Sequence, residues 1–129
     1  DQTYLTTCDQ PFARCYYFDP DVKPLCEYRK HCLDYLIPVD DDEDEIGPPG
    51  RVFCGGFPEY VGDVGDYTSR EYLQRDFAVD RTCQGYWVLP IYHPTRHLPS
   101  GVLEIASPLG LHFFRYQVLE KLQVRLFSF

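Results

Sequence analysis

GPPGRVF (47–53), PEYVGDV (58–64), YWVLPIY (86–92) and GVLEIAS (101–107) follow one another in a chain of 129 residues, and their reading decides the fold. The first is a Gly-Pro turn entering a short amphipathic piece, with one helical turn over Arg51–Cys54 and Val52 and Phe53 facing the core. The second starts on Pro58, and Tyr60–Val64 reads as a short strand or extended segment. The last two are apolar β-runs. Gln84–Tyr92 and Gly101–Ala106 are expected to pair antiparallel across the polar, Pro-rich turn His93–Ser100. None of the four brings a nucleophile, a general base or a metal cluster. They build a sheet with a covered face, which points to binding or regulation rather than catalysis.

Outward from this block, Thr3–Thr7 and Phe12–Phe18 read as two strands around the turn Cys8-Asp9-Gln10-Pro11, a hairpin. Leu25–His31 is a short helical piece, and Leu33–Val39 is apolar enough for a strand that Pro38 closes. Ser69 is a good N-cap for a helix reaching Val79, with Glu71 in its first turn and Tyr72, Leu73 and Phe77 at helical spacing. Phe113, Tyr116, Leu119, Glu120 and Leu122 recur at the helical period and predict an amphipathic helix over about 111–127. The sum is one α+β domain, a mostly antiparallel sheet flanked by helices.

Composition supports a packed core, with 44% hydrophobic and 16% aromatic residues. Net charge is −8, but Asp40–Glu45 supplies six consecutive carboxylates, so the acidity is a solvated loop on a near-neutral domain. No basic patch answers the needs of a phosphate backbone, so direct nucleic-acid binding by this segment is not expected. No apolar run has the length of a membrane-spanning helix, and no signal peptide opens the chain. The chain contains no Met and starts at Asp1, so it reads as a fragment. Six cysteines at 8, 15, 26, 32, 54 and 83 raise the prospect of a disulfide framework. The chain is long enough to fold without staples and has no Asn, hence no glycosylation acceptor, so reduced and partly buried thiols are expected.

The recognisable chemical motifs fail on spacing. Asp40, Asp42 and Asp44 occupy the first ligand positions of an EF-hand loop, but Glu45 stands where Gly is required and Arg51 where a bidentate Glu is required. Cys26, His31, Cys32, His93 and His97 match no closed zinc pattern, so no metal site is expected. Ser69, Ser100, Ser107 and Ser128 lack a nucleophile elbow, and Gly55-Gly56 follows a helical turn rather than opening one. The expectation is a protein that is no enzyme and carries no cofactor.

Beyond these physical readings, the order of motifs resembles a known family. Leu5-Thr6-Thr7, Gln10-Pro11-Phe12, Tyr28-Arg29, Gly50-Arg51-Val52-Phe53, Pro58-Glu59 and Asp63-Val64 fall in register with it. So do Glu71-Tyr72, Gly85, Leu89-Pro90 and Gly101-Val102-Leu103-Glu104. From Tyr4 to Ser107 the chain resembles the N-terminal GAF-like region of the plant NIN-like proteins, nitrate-responsive transcription factors of the RWP-RK class. The resemblance implies a GAF-like fold in which a helix and a first strand precede Tyr4–Thr7. The chain is thus expected to be N-terminally truncated, with strand edges open to dimerisation. It further implies a partial regulatory domain over 1–129, nuclear and cytoplasmic, without the family's RWP-RK and PB1 domains.

Ligands implied by the resemblance are nitrate or another small anion, held between the sheet and a covering helix and loop. The donors nearest that space are Arg51, Arg75, Arg81, His93 and the hydroxyl of Tyr86. Each arginine is also a candidate surface side chain with its stem on apolar residues. The chain departs from the family pattern at Phe77-Ala78, where a His-Ala pair is usual, and at Gln84-Gly85, where Arg-Gly is usual. Both departures remove a donor. The alternative is an interaction module that self-associates or contacts other domains and binds no small molecule.

Overall fold

The structure is a computed structural model that describes residues 3–12, 23–39, 46–81 and 83–108. The acidic run 40–45, most of the expected strand 12–18 and the expected helix 111–127 lie outside the described residues. In chain order the elements are β1 (Tyr4–Leu5), α1 (Lys23–Cys32), β2 (Ile37–Pro38), α2 (Gly47–Gly55) and β3 (Glu59–Val61). A 3-10 turn (Val64–Asp66), α3 (Arg75–Asp80), β4 (Gly85–Tyr92) and β5 (Pro99–Ser107) complete them. This is an α+β fold built on antiparallel pairing.

The central sheet has the order β3-β4-β5. β4 and β5 run antiparallel from Gly85↔Ser107 to Tyr92↔Pro99, with an irregularity between Ile91 and Tyr92 just before the Pro-rich turn. The first half of β4 is apolar at every position, so both of its faces can leave water. Tyr86 and Val88 are fully buried toward the helices, and Trp87 is buried on the opposite face. There Trp87 stands opposite Tyr60 of β3, with the rings edge to face at 6.2 Å.

β1 pairs with β2, Leu5↔Ile37 and Tyr4↔Pro38, and the partner strand expected for its hairpin falls mostly outside the described residues. The chain still turns where the sequence indicated: Gln10 N–H donates to Thr7 C=O, and Asp9 takes a positive φ of 59°. Expected strand 33–39 shrinks to two residues, because Leu33, Asp34 and Tyr35 continue off α1 with backbone bonds back to Lys30, His31 and Cys32.

α2 is longer than the single turn expected, because Gly47-Pro48-Pro49-Gly50 starts the helix instead of ending the loop. Prolines fit a helix start, where an N–H would have no intrahelical acceptor. Gly56, at φ 75°, ends it by donating its N–H to Val52 C=O at 2.8 Å. α3 is shorter than expected. The cap is Thr68, not Ser69: its hydroxyl accepts from Glu71 N–H while its own N–H donates to Glu71 Oε2, a reciprocal capping box. The turn it opens gives way to a regular helix only at Arg75.

The described helices α1, α2 and α3 cover the sheet on one side. The core between them joins Tyr28 and Cys32 of α1, Val52 of α2, Ala78 of α3, and Val64, Tyr72 and Cys83 from the connections to Tyr86 and Val88 of β4. Val102 and Ala106 of β5 pack against it from alternate positions of their strand. Burying each Val of this set is worth about 1.5–3 kcal/mol relative to exposure.

Candidate functional site

The space between helices and sheet, where a small molecule would be sought in such a fold, is filled by aromatic rings joined through their hydroxyls. The Tyr28 hydroxyl on α1 hydrogen-bonds the Tyr72 hydroxyl. The Tyr72 ring stacks on Tyr86 of β4 at 5.3 Å and 17°, and Tyr67 meets Tyr72 edge-on at 5.7 Å. The Tyr86 hydroxyl donates to Oε1 of Glu104 on β5. Glu104 is half-buried as a residue, yet its carboxyl turns inward among these rings.

Burial sets the protonation of this array. Desolvation raises the pKa of Tyr28, Tyr72 and Tyr86, reinforced at Tyr28 and Tyr86 by the nearby Glu104 charge, so all three remain neutral hydroxyls. Desolvation also raises Glu104, opposed by the Tyr86 hydrogen bond and the Arg29 charge. Burial lifts the Cys32 thiol to about 11 and the Cys83 thiol to about 12, which denies either the thiolate that nucleophilic chemistry needs. Arg29 reaches the same region: Nη2 donates to Thr7 C=O at 2.6 Å, and Nη1 is buried without a hydrogen-bond partner. The array is a packed polar core in which the hydroxyls and thiols stay protonated and burial disfavours the Glu104 charge.

The residues singled out in the sequence do not converge. Arg51, on α2, is fully engaged with the protein. Its Nε and Nη2 grip Oε1 and Oε2 of Glu59 at 2.9 Å each, and Nη1 donates to Glu71 C=O at 2.7 Å. Tyr67 OH donates to the same Glu59 carboxylate at 2.6 Å. Burial works to raise Glu59, but the Arg51 and Tyr67 hydrogen bonds win and hold it below the usual carboxylate range. Arg75 is spent likewise, on Tyr67 C=O at 2.6 Å and Gly65 C=O at 2.9 Å. Tyr86 is sealed in the array. His93 is exposed in the β4–β5 turn, where Nδ1 accepts from Thr95 N–H at 3.2 Å.

Arg81 lines a surface groove, with Lys30, His31, Phe77, Glu27 and Asp34. His31 stacks on Phe77 at 3.8 Å and 12°, and the Arg81 guanidinium lies 4.6 Å from the same ring. Arg81 Nε sits 2.7 Å from Glu27 Oε2, a close ion pair without hydrogen-bond alignment. Among the described residues, no group of three His, Cys, Asp or Glu is placed to hold a metal ion. Cys8, Cys32 and Cys83 are free thiols.

Glu104 was missed as a site residue although its strand parity marks it. It shares the inward face of Val102 and Ala106, the one position there where a carboxylate replaces an apolar side chain. No protein-family model matches the chain. Over 102 residues, 78% of its length, it is 37% identical to Protein NLP6 of Arabidopsis thaliana, and over 102 residues 36% identical to Protein NLP7 of the same plant. Over 106 residues it is 33% identical to Protein NLP1 of Oryza sativa subsp. japonica. The chain belongs to the NIN-like proteins. It spans 12% of the length of NLP6, 10% of NLP7 and 11% of the rice protein.

Among solved structures, the GAF domain region of a protein from Geobacter sulfurreducens PCA resembles it at 24% identity and a TM-score of 0.49, over 65% of this chain and 54% of that one. Of the residues that carried the NIN-like resemblance, Arg51 and Val52 lie on α2, Glu59 begins β3, Glu71 and Tyr72 follow the Thr68 cap, and Glu104 lies on β5. Several of them are partners: Arg51 binds Glu59 and the Glu71 carbonyl, and Tyr72 stacks on Tyr86, itself bonded to Glu104. In this NIN-like chain the motif therefore maintains the packing of helices on the sheet.

Proposed function

We propose that the chain is a non-catalytic regulatory domain of a plant transcription factor, acting in the nucleus and cytoplasm by a conformational equilibrium that a bound ligand or partner biases. Its kinship with NIN-like proteins over four fifths of its length carries this reading. A buried array of neutral tyrosines and unreactive thiols is consistent with regulation and offers chemistry no foothold. The test is to replace the matching segment of an Arabidopsis relative with this chain and read a nitrate-dependent reporter in plant cells. Restored regulation supports the proposal; output equal to that of a segment-deleted protein overturns it.

One observation favours the partner over a small ligand. The donors expected to gather around nitrate or a similar anion are spent on the protein itself at Arg51 and Arg75, sealed at Tyr86, displayed singly at His93, or, at Arg81, paired with Glu27 in a groove that also holds Asp34. Thermal unfolding with nitrate against chloride at matched ionic strength separates the two. A midpoint that rises with nitrate concentration favours the anion; an unmoved midpoint favours protein–protein contact.

A further inference from the structure

Phe57, 79% exposed, and Leu98, 74% exposed, are the large apolar side chains that water reaches most among the described residues. Tyr92 brings them to one end of the fold. Its hydroxyl donates to Gly56 C=O at 2.7 Å, and that carbonyl is one peptide bond from Phe57. In the β4–β5 register Tyr92 stands opposite Pro99, the residue after Leu98. Gly56 permits the approach: its φ is 75°, and an added Cβ would come within 2.6 Å of the Tyr92 hydroxyl. Tyr92 itself is 47% exposed and Ile91 45%, so this end of the molecule gathers apolar surface instead of scattering it.

Charge identifies what suits this end. The turn from His93 to Leu98 is exposed at every residue and carries Arg96 between His93 and His97. From Arg81 to Leu103 the chain has no Asp or Glu, and Glu104, which follows, turns its carboxyl into the tyrosine array. Arg29, Arg51, Arg75 and Arg81 are each committed to a carbonyl or a carboxylate. Arg96 is not: among the described residues no carboxylate pairs with its guanidinium. An uncommitted fork of five donors thus stands beside an apolar anchor point. Its counterpart is anionic, and it is short. A nucleic-acid strand or an anionic membrane would extend past the tip across a chain of net charge −8 and be repelled by it. A brief acidic protein segment touches the tip alone.

We propose that Phe57 and the β4–β5 tip form a docking surface for a short acidic protein segment, which sets an aromatic or leucine side chain against Phe57 and Leu98 and a carboxylate on Arg96. The apolar contact supplies affinity, and the Arg96 fork supplies selectivity. This goes beyond the regulatory reading and stands apart from it, since the chain can bind at the tip whether or not it restores nitrate-dependent output.

The experiment is fluorescence anisotropy of the 129-residue chain with a short fluorescein-labelled peptide of Phe, Leu, Asp and Glu. Beside it runs the same peptide with Asn and Gln in place of the acids. Micromolar binding of the acidic peptide is expected, at least fivefold tighter than the amide peptide. The net charge of the chain opposes that preference, so only a local cation can produce it. Leu98→Ser and Phe57→Ser should weaken both peptides at least fivefold, whereas Arg96→Gln should weaken the acidic peptide alone and abolish the preference. The three side chains are exposed, and a thermal melt of each variant checks that the fold is intact. Failure of the acidic peptide to bind, equal binding of the two peptides, or a preference that survives Arg96→Gln overturns the proposal. So does Arg96-dependent binding of oligothymidylate or of phosphatidylserine vesicles that is tighter than that of the acidic peptide.

Discussion

A carboxyl group pressed among three tyrosine rings makes Glu104 a residue whose charge the fold disfavours. Its folded pKa is raised above the unfolded value, chiefly by desolvation. Its favourable contribution is therefore complete below the unfolded pKa, near 4.5, and is lost as pH rises through the folded value. Glu104→Gln retains an acceptor for the Tyr86 hydroxyl and carries no charge. We expect the variant to melt above the parent at pH 7.5 and to match it near pH 4; a variant that melts lower at pH 7.5 would refute a disfavoured charge at this position. Glu59 runs the other way: its lowered pKa stabilises the fold above the unfolded value and is lost as pH falls through the folded one. Arg51→Ala should cost about 1–2 kcal/mol in urea denaturation at pH 7, because two aligned bonds to Glu59 and one to a carbonyl are lost. Arg51→Lys should recover less than half, since an ammonium cannot fork. Arg51 could be singled out from sequence because GRVF is distinctive, but its partners could not, as Glu59 and Glu71 meet it only through folding.

Among the elements, α2 shows best what the sequence conceals. GPPG reads locally as a turn, and its prolines become a helix start only because Ile46 and the buried face beyond fix the direction of entry. Gly50 then lies against that side chain: an added Cβ would sit 2.7 Å from Ile46 Cβ and 2.8 Å from its Cγ1. Helix propensity would favour Ala over Gly by up to about 1 kcal/mol, but overpacking a closed contact costs about 1–3 kcal/mol. Gly50→Ala should therefore destabilise by about 1–2 kcal/mol. Gly55, with nothing within 4 Å of the added carbon, is the control: Gly55→Ala should be neutral or stabilising by about 0.5 kcal/mol. Equal melts for the two variants would contradict the contact. The β4–β5 pair was legible nearly to its ends because apolar runs on either side of a Pro-rich turn determine each other's register. β1 was legible as a strand within Thr3–Thr7, but its pairing with β2 was not, since that partner lies more than thirty positions away. α3 was overextended because the Thr68–Glu71 box imitates the start of a long helix at the level of residues.

At the scale of the whole molecule, burial sets two described pairs of cysteines apart. Cys8 and Cys54 are exposed, whereas Cys32 and Cys83 lie in the core with thiol pKa values near 11 and 12. A folded sample treated with a thiol reagent at pH 7.5 should modify Cys8 and Cys54 within minutes. Cys32 and Cys83 should react only at the rate of global opening, and peptide mapping of a time course resolves them. Rapid labelling of Cys83 in native buffer would mean that the helices do not stay docked on the sheet. The surface carries large apolar side chains of its own, and Leu36 and Leu73 line one notch. Sequence displayed the carboxylates at once, but it could not show that two leucines thirty-seven positions apart in the chain flank one notch.

Trp87 is the single tryptophan of the chain, buried in the middle strand with Tyr60 edge-on beside it. The protein thus carries its own optical gauge. Excited at 295 nm, this one indole emits from a dry strand pair, and its spectrum should shift to the red only when β4 parts from β3 or β5. Light absorbed by the eleven tyrosines drains toward the same ring while the domain is closed. Colour and energy transfer together then follow the sheet in unlabelled protein, in real time.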